Sequence, residues 1–384
     1  MTKQYASLEL KRLTTVFRIT RIDEDGKILS DATFYDLISL VRIDAPVSSL
    51  FAAEIDILNI HGTLYLFGSD AQQIAEHGYI ESRTIKGERL TVEHTPVPTE
   101  KAYEILLENM AALSLLLLKK LWGANDNMTA AEDTEVVLIV PAYTPNEFDL
   151  KRFFRNNIFL EKIDRYDATI YTSFIGEWMT APFAVQSAMG RSFLKYGNTL
   201  FVRFDALSVT TFTTVVTAGQ SDGEQIRRLY DMSTVFGFSY DASLLHRVIK
   251  KMGNLSTEEA TDLYIKILNQ ALYGTAEEMT EKEQDITKRS LDALGSHFAD
   301  KIRDVYAKSD VTADSIVLLG DFHHYVSSED IGKIASVVFG EEVDAATDSR
   351  IIIVDKHSIA NSNTFGATTL SVLKYANKLV SLPV

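Results

Sequence analysis

The chain of 384 residues contains no cysteine, which removes disulfides, thiolate-held zinc and cysteine nucleophiles in one stroke. A reducing, cytoplasmic setting fits. Basic residues are also in short supply: 38 Lys and Arg stand against 53 Asp and Glu, a formal net charge of −15. Bare phosphate backbones repel such a chain, which argues against direct, non-specific nucleic-acid binding. Lys3, Lys11, Arg12, Arg18 and Arg21 make the N-terminal segment locally basic; an exposed strand face is the default reading and an anionic partner the alternative. Long apolar runs are missing too. The most apolar stretch, Met110–Leu118, is about half of what a bilayer span needs and runs straight into Lys119 and Lys120, so it reads as a core helix rather than a transmembrane segment. The first residues carry no signal-peptide h-region.

Familiar chemical signatures are equally scarce. There is no GxGxxG, GxxxxGK[ST] or GxSxG, hence no ready phosphate loop and no nucleophile elbow. HExxH is absent, and adjacent His323 and His324 point apart on any strand or loop, so zinc is not expected. No low-complexity tract or short-period repeat occurs. With 46% apolar and 24% charged residues, the composition is that of a folded protein of two or three domains.

What is present is an alternation of strand and helix patterns. Residues 6–29 alternate around Asp23-Glu24-Asp25-Gly26, the composition of a β-hairpin turn. Ala53–Ile60 and Thr63–Phe67 form a second pair around His61-Gly62, followed by a short helix from Asp70 to Glu76. Ile85–Val92 reads as a strand, His94–Pro98 as a loop, and Thr99 as the cap of one helix running to Trp122. Gly123–Asp133 reads as a surface loop. Val136–Val140, β-branched and closed by Pro141, suits a central strand buried on both faces. Leu200–Phe204 and Val209–Val216 flank Asp205–Ser208 as another hairpin, and 223–235, 240–252, 256–273 and 280–308 turn helical. Strand Ser315–Leu319, a helix near 328–339, strand Ile351–Val354 and a helix after Gly366 complete the chain. The plan repeats, which implies two α/β halves.

Four pieces in this order resemble the actin-like superfamily, in particular the ParM-type plasmid-segregation and archaeal actin-like proteins. They are Gly62–Ala71, Val137–Pro141, Asp205–Thr211, and Ser315–Gly320 with Ala360-Asn361 to Gly366. The resemblance implies an α/β fold of two domains. Each has a mixed five-stranded sheet, a ribonuclease H-like core, flanked by helices, with a cleft between the domains. Domain I would span 1–186 with 366–384 returning to it, and domain II 187–365.

The resemblance also implies ATP and Mg at two hairpin turns, where glycines admit phosphate oxygens and an Asp in each turn holds the metal. Here Glu9 stands for the first Asp and Lys11 for the glycine. A phosphate contact by Lys11 or Arg12 is one alternative, and a solvated strand end the other. The second turn keeps Asp205, the candidate metal ligand, with Ser208 and Thr210, but Ala206, Leu207 and Ser208 replace its glycines. Of the adenosine-side cluster, Gly320, Asp321 and Phe322 remain as candidates, with Phe322 either stacking on a base or packing in the core. The Pro-Glu pair that positions the attacking water in the ParM branch has its nearest match in Ala181-Pro182-Phe183, where Phe183 has no carboxylate and Gln186 is the only substitute nearby. These changes imply a degenerate ATPase, and the resemblance implies a protein that assembles into a filament or cytoskeletal-type complex and reaches DNA only through a basic adaptor. Two other readings stay open: a non-polymerising scaffold similar to PilM, suggested by Ser208–Phe212 with Gly219-Gln220, and an ATPase using Glu9, Asp205 and Thr210.

Overall fold

The computed structural model describes residues 3–11, 14–25, 27–44, 57–77, 81–85, 88–124, 133–141, 150–158, 160–163, 168–189, 197–204, 208–216, 234–239, 243–273, 278–309, 311–320, 326–355 and 358–375. They form two compact units, one of Met1–Val140, Glu147–Gly176 and Asn363–Ala376, the other of Pro141–Asn146, Glu177–Ser362 and Asn377–Val384. The unit thus changes at Gly176/Glu177 and at Ser362/Asn363, whereas the sequence reading sets its changes after 186 and after 365.

In the first unit β1 (Lys3–Leu10), β2 (Thr14–Ile22) and β3 (Ile28–Leu37) make an antiparallel meander. The acidic turn is where the composition places it, with the Asp23 carboxylate accepting from the N–H groups of Asp25 and Lys27. It joins β2 to β3, however, so the chain opens on three strands rather than one hairpin. β4 (Leu40–Asp44), β5 (Ile57–Ile60), β6 (Thr63–Phe67), β7 (Glu81–Ile85) and β8 (Glu88–Val97) form a separate sheet in the order β5-β6-β4-β8-β7. Helix α1 (Ser69–His77) packs on it through Ala71 and Ile74. The strand β8 runs through His94–Val97, the expected loop, because β4 pairs with it to Leu40↔Val97. Pro96 is tolerated since pairing with β7 stops at Val92.

The single helix expected from Thr99 to Trp122 is two, α2 (Thr99–Glu108) and α3 (Met110–Ala124). Pro98, not Thr99, holds the N-cap position and makes no side-chain cap. The break at Asn109 is stabilised from outside. Asn157, the fully buried last residue of α4 (Leu150–Asn157), accepts from the Ala111 N–H at 2.7 Å and donates to the Glu108 carbonyl at 3.0 Å.

β9 (Asp133–Val140) lies between β1 and β11 (Ala168–Gly176), parallel to both, as its unbroken apolar run requires. With β10 (Leu160–Ile163) on the far side, the order is β10-β11-β9-β1-β2-β3. This sheet therefore has six strands, one more than the expected five.

The second unit repeats the plan. β12 (Gly197–Phe204), β13 (Ser208–Val216) and β14 (Thr234–Ser239) form a meander, and β15 (Ser315–Leu319) and β16 (Ile351–Ile353) add in parallel beyond β12. The order is β14-β13-β12-β15-β16. The helical pattern read over 223–235 falls mainly outside the described residues, and its last two positions belong to β14. Helices α6 (Ser243–Gly253), α7 (Thr257–Tyr273) and α8 (Glu281–Tyr306) carry the crossover from β14 to β15, and α9 (Ser328–Phe339) the one from β15 to β16. Thr280 and Glu283 close a reciprocal capping box on α8, and Ser327 caps α9, which ends on left-handed Gly340.

Two helices are exchanged between the halves of the chain. α5 (Glu177–Met189) follows β11 of the first unit, yet Ala181 and Val185 pack with Phe201, Phe212 and Val317 of the second. α10 (Asn363–Tyr375) follows β16 of the second unit and packs on β1, β2 and β9 of the first.

Candidate functional site

In both units the end of the first strand meets the first turn of the exchanged helix. In the first unit, Glu9 is the next-to-last residue of β1 and is 7% exposed. Its Oε1 accepts a hydrogen bond from Nδ2 of Asn363, the first residue of α10, at 2.8 Å. Beside it the Ser7 hydroxyl donates to the Thr364 carbonyl at 3.2 Å. Arg18 of β2 holds Asp31 of β3 through two hydrogen bonds and sits over the Phe365 ring, 5.0 Å from its centre. Lys11 is half-buried just past β1, and its backbone N–H donates to the Thr14 carbonyl at 2.9 Å.

In the second unit the equivalent positions carry opposite charges. Arg203 is the next-to-last residue of β12, and Glu177 is the first residue of α5. Arg203 Nε lies 2.6 Å from Glu177 Oε1, with only 1% and 8% of the two side chains exposed. Thr210 of β13 stands directly opposite Arg203 in the ladder and is buried. Ser208 begins β13, opposite Ser239.

Gly320 follows β15 with φ +106°, and a Cβ there would sit 2.2 Å from the Phe204 carbonyl oxygen. The glycine thus lets the end of β15 lie against the end of β12. Asn361 occupies both its backbone groups: the Gly320 N–H donates to Oδ1 at 2.7 Å, and the Gly320 carbonyl accepts from Nδ2 at 3.2 Å. Asp205, Asp321, Phe322, His323 and His324 lie outside the described residues.

Of the candidates, Glu9 and Lys11 are in the first unit and Ser208, Thr210 and Gly320 in the second. For a nucleotide and its metal, the test is whether these groups present free N–H donors and carboxylates. Glu9 is engaged by Asn363, Gly320 by Asn361 and the Lys11 N–H by Thr14. Arg12 of the first turn and Asp205 to Leu207 of the second lie outside the described residues. Among the described residues no group of three His, Asp or Glu is placed to hold a metal ion.

The sequence reading places the water-positioning match at Ala181-Pro182-Phe183. Those residues lie inside α5, where Phe183 is a core side chain. The carboxylate that does stand at the head of the helix before the second hairpin is Glu177. The dipeptide Gly176-Glu177, directly after a β-rich run, is the signal that finds it.

A strand order of meander followed by two parallel strands, present twice and closed by two exchanged helices, decides the architecture. The fold is actin-like. No family model matches the chain, and no curated protein does. Among solved structures, the chain is similar to the apo pSK41 ParM protein at 13% identity and TM-score 0.47, over 98% of each chain. It is similar to Ta0583, an archaeal actin homologue, at 11% identity and TM-score 0.48, over 96% of this chain and 98% of that one. A 15-stranded ParM filament from Clostridium botulinum is similar at 10% identity and TM-score 0.46, over 99% and 100%. Within this actin-like fold, strand ends and helix heads that face one another are held by side chains of the chain itself.

Proposed function

We propose that this chain is an assembly-forming protein of ParM-like, actin-like type in which nucleotide hydrolysis is weak or lost. The observation that carries the reading is Glu177. It is the carboxylate at the head of α5, where the resemblance to ParM-type proteins would put a water-orienting group, but its Oε1 is 2.6 Å from buried Arg203. A carboxylate neutralised by a guanidinium in a buried pair is a poor partner for water. The exchanged helices and duplicated sheet support the assembly half of the proposal. The net charge of −15 supports contact with DNA only through a basic adaptor.

Light scattering and negative-stain microscopy, with and without ATP and Mg, test the reading. Polymer that forms under both conditions, with phosphate release at the background rate, is the expected result. Monomers under every condition would overturn it. Calorimetric binding of ATP–Mg that Asp205→Ala abolishes would favour an active ATPase instead.

A further inference from the structure

Among the described residues, no further strand covers the outer edge of the first sheet. β3 is its terminal strand, bonded to β2 on one side and to no other strand among the described residues. Natural edge strands are kept short or carry lysine, proline or a free inward charge, since a bare row of N–H and C=O groups recruits another strand. β3 has ten residues, ILSDATFYDL, with no lysine, arginine or proline. Its two carboxylates are both hydrogen-bonded within the chain. Asp31 is held by Arg18 and Thr20, and Asp36 accepts from the Leu37 N–H and from the N–H and hydroxyl of Ser69 at the head of α1. Beside exposed Ser30, Asp31 and Ala32, the strand exposes four large apolar side chains, two on each face: Ile28 is 49% exposed, Leu29 54%, Phe34 38% and Tyr35 67%.

The geometry points to a second copy of this chain as the occupant, pairing β3 with β3 antiparallel about a two-fold axis through Ala32. A two-fold normal to the sheet sets even-numbered residues opposite even ones and odd opposite odd. Centred on Ala32, the register faces Leu29 with Tyr35 of the second copy, and the reverse, which is an aliphatic–aromatic cross-strand pair made twice. Ile28 lies diagonal to Phe34 of the second copy. Asp31 faces Thr33, a hydroxyl donor, so no two carboxylates meet. Centring the axis one residue earlier, on Asp31, would set Asp31 against itself. A basic peptide finds less here, because the strand's own carboxylates are already satisfied. The contact is isologous and needs no nucleotide, so it goes beyond the filament reading and stands or falls separately. Two copies at −15 each repel, and the pairing therefore strengthens as salt screens them.

The absence of cysteine makes the register directly readable. Ala32→Cys in the full chain places two thiols opposite each other across the axis, at a Cβ spacing of about 5 Å. Mild oxidation is expected to give a covalent dimer. Ile28→Cys is the control, because its two copies would be eight strand positions apart, about 26 Å, and should not cross-link. In the unpolymerised fraction, sedimentation should show the 42.9 kDa species moving toward twice that mass as concentration and salt rise. Exposed Tyr35→Lys should hold it at the monomer mass with an unchanged melting temperature, and Leu29→Lys should do the same. Cross-linking of neither cysteine variant, or of both equally, overturns the proposed pairing, as does a monomer at every salt concentration or a dimer that survives both lysine variants. Filaments without the Ala32→Cys cross-link would overturn this inference and leave the filament reading intact.

Discussion

Arg203 and Glu177 form a buried ion pair that ties the end of β12 to the head of α5, 2.6 Å from Nε to Oε1. Both charges have given up hydration, so each depends on the other. Removing one partner by Arg203→Met or Glu177→Gln should cost about 3–5 kcal/mol, because the survivor is left charged and buried. The double variant should recover a large part of that loss. A double-mutant cycle by chemical denaturation measures the coupling, and strictly additive losses would refute the dependence.

The matching contact in the first unit joins a carboxylate to a neutral amide, Glu9 to Asn363 at 2.8 Å. Glu9→Gln should cost about 1 kcal/mol and Glu9→Ala about 2 kcal/mol, the usual range for a hydrogen bond to a charged group. The same denaturation experiment should therefore rank the Arg203 variant well above either Glu9 variant. Equal losses would mean that the two contacts are energetically alike after all.

Gly320 and Gly340 make a controlled comparison. Both have positive φ, +106° and +70°, but a Cβ at 320 meets the Phe204 backbone at 2.2 Å while one at 340 meets nothing within 4 Å. Gly340→Ala should cost only the left-handed penalty of about 1 kcal/mol. Gly320→Ala must move one strand end away from another and should lower the melting temperature far more. Similar melting temperatures for the two variants would show that the close approach of β15 to β12 is not required.

The cap of α8 predicts an acid response. The Glu283 carboxyl is pulled down to about 2, first by the Thr280 N–H, then by Lys266 and the Thr280 hydroxyl. A carboxylate lowered on folding adds stability above its unfolded pKa, near about 4.3, and that contribution disappears as pH falls through about 2. Glu283→Gln should therefore be less stable than the parent at pH 6, with the gap closing toward pH 2. Thr280→Ala should cost about 1 kcal/mol at pH 7. Denaturation curves across that range test both, and a gap independent of pH would contradict the assignment.

Much of the fold is legible in the sequence because single elements carry strong local signals. Val136–Val140 is a buried parallel strand by composition alone, and Ser315–Leu319 likewise. Where the sequence misleads, a distant contact has overruled a local one. The α2–α3 break depends on Asn157, whose bonds to Glu108 and Ala111 come from another helix. β8 continues through Pro96 because β4 lies alongside. Among the site residues, the match to a Pro-Glu pair leads to Ala181-Pro182-Phe183, which lies within α5 rather than at its head. Glu177 and Arg203 are 26 residues apart in the numbering and neither belongs to a motif. Only the tertiary arrangement brings their charges together.

The exchanged helices bear on the order in which the chain is made. Glu177–Ser362 lies wholly within the sequence of the other unit, whose last helix, α10, begins only at Asn363. Ala367 and Leu370 of that helix are buried at 0% and 1%, on a sheet whose strands left the ribosome long before. During synthesis the part of the β1–β2–β9 sheet that α10 covers must therefore wait until Asn363–Tyr375 has been translated. The second unit acquires its own exchanged helix, α5, before its sheet. The unit whose strands are made first is thus the one that receives its last helix after the other unit's sequence is complete.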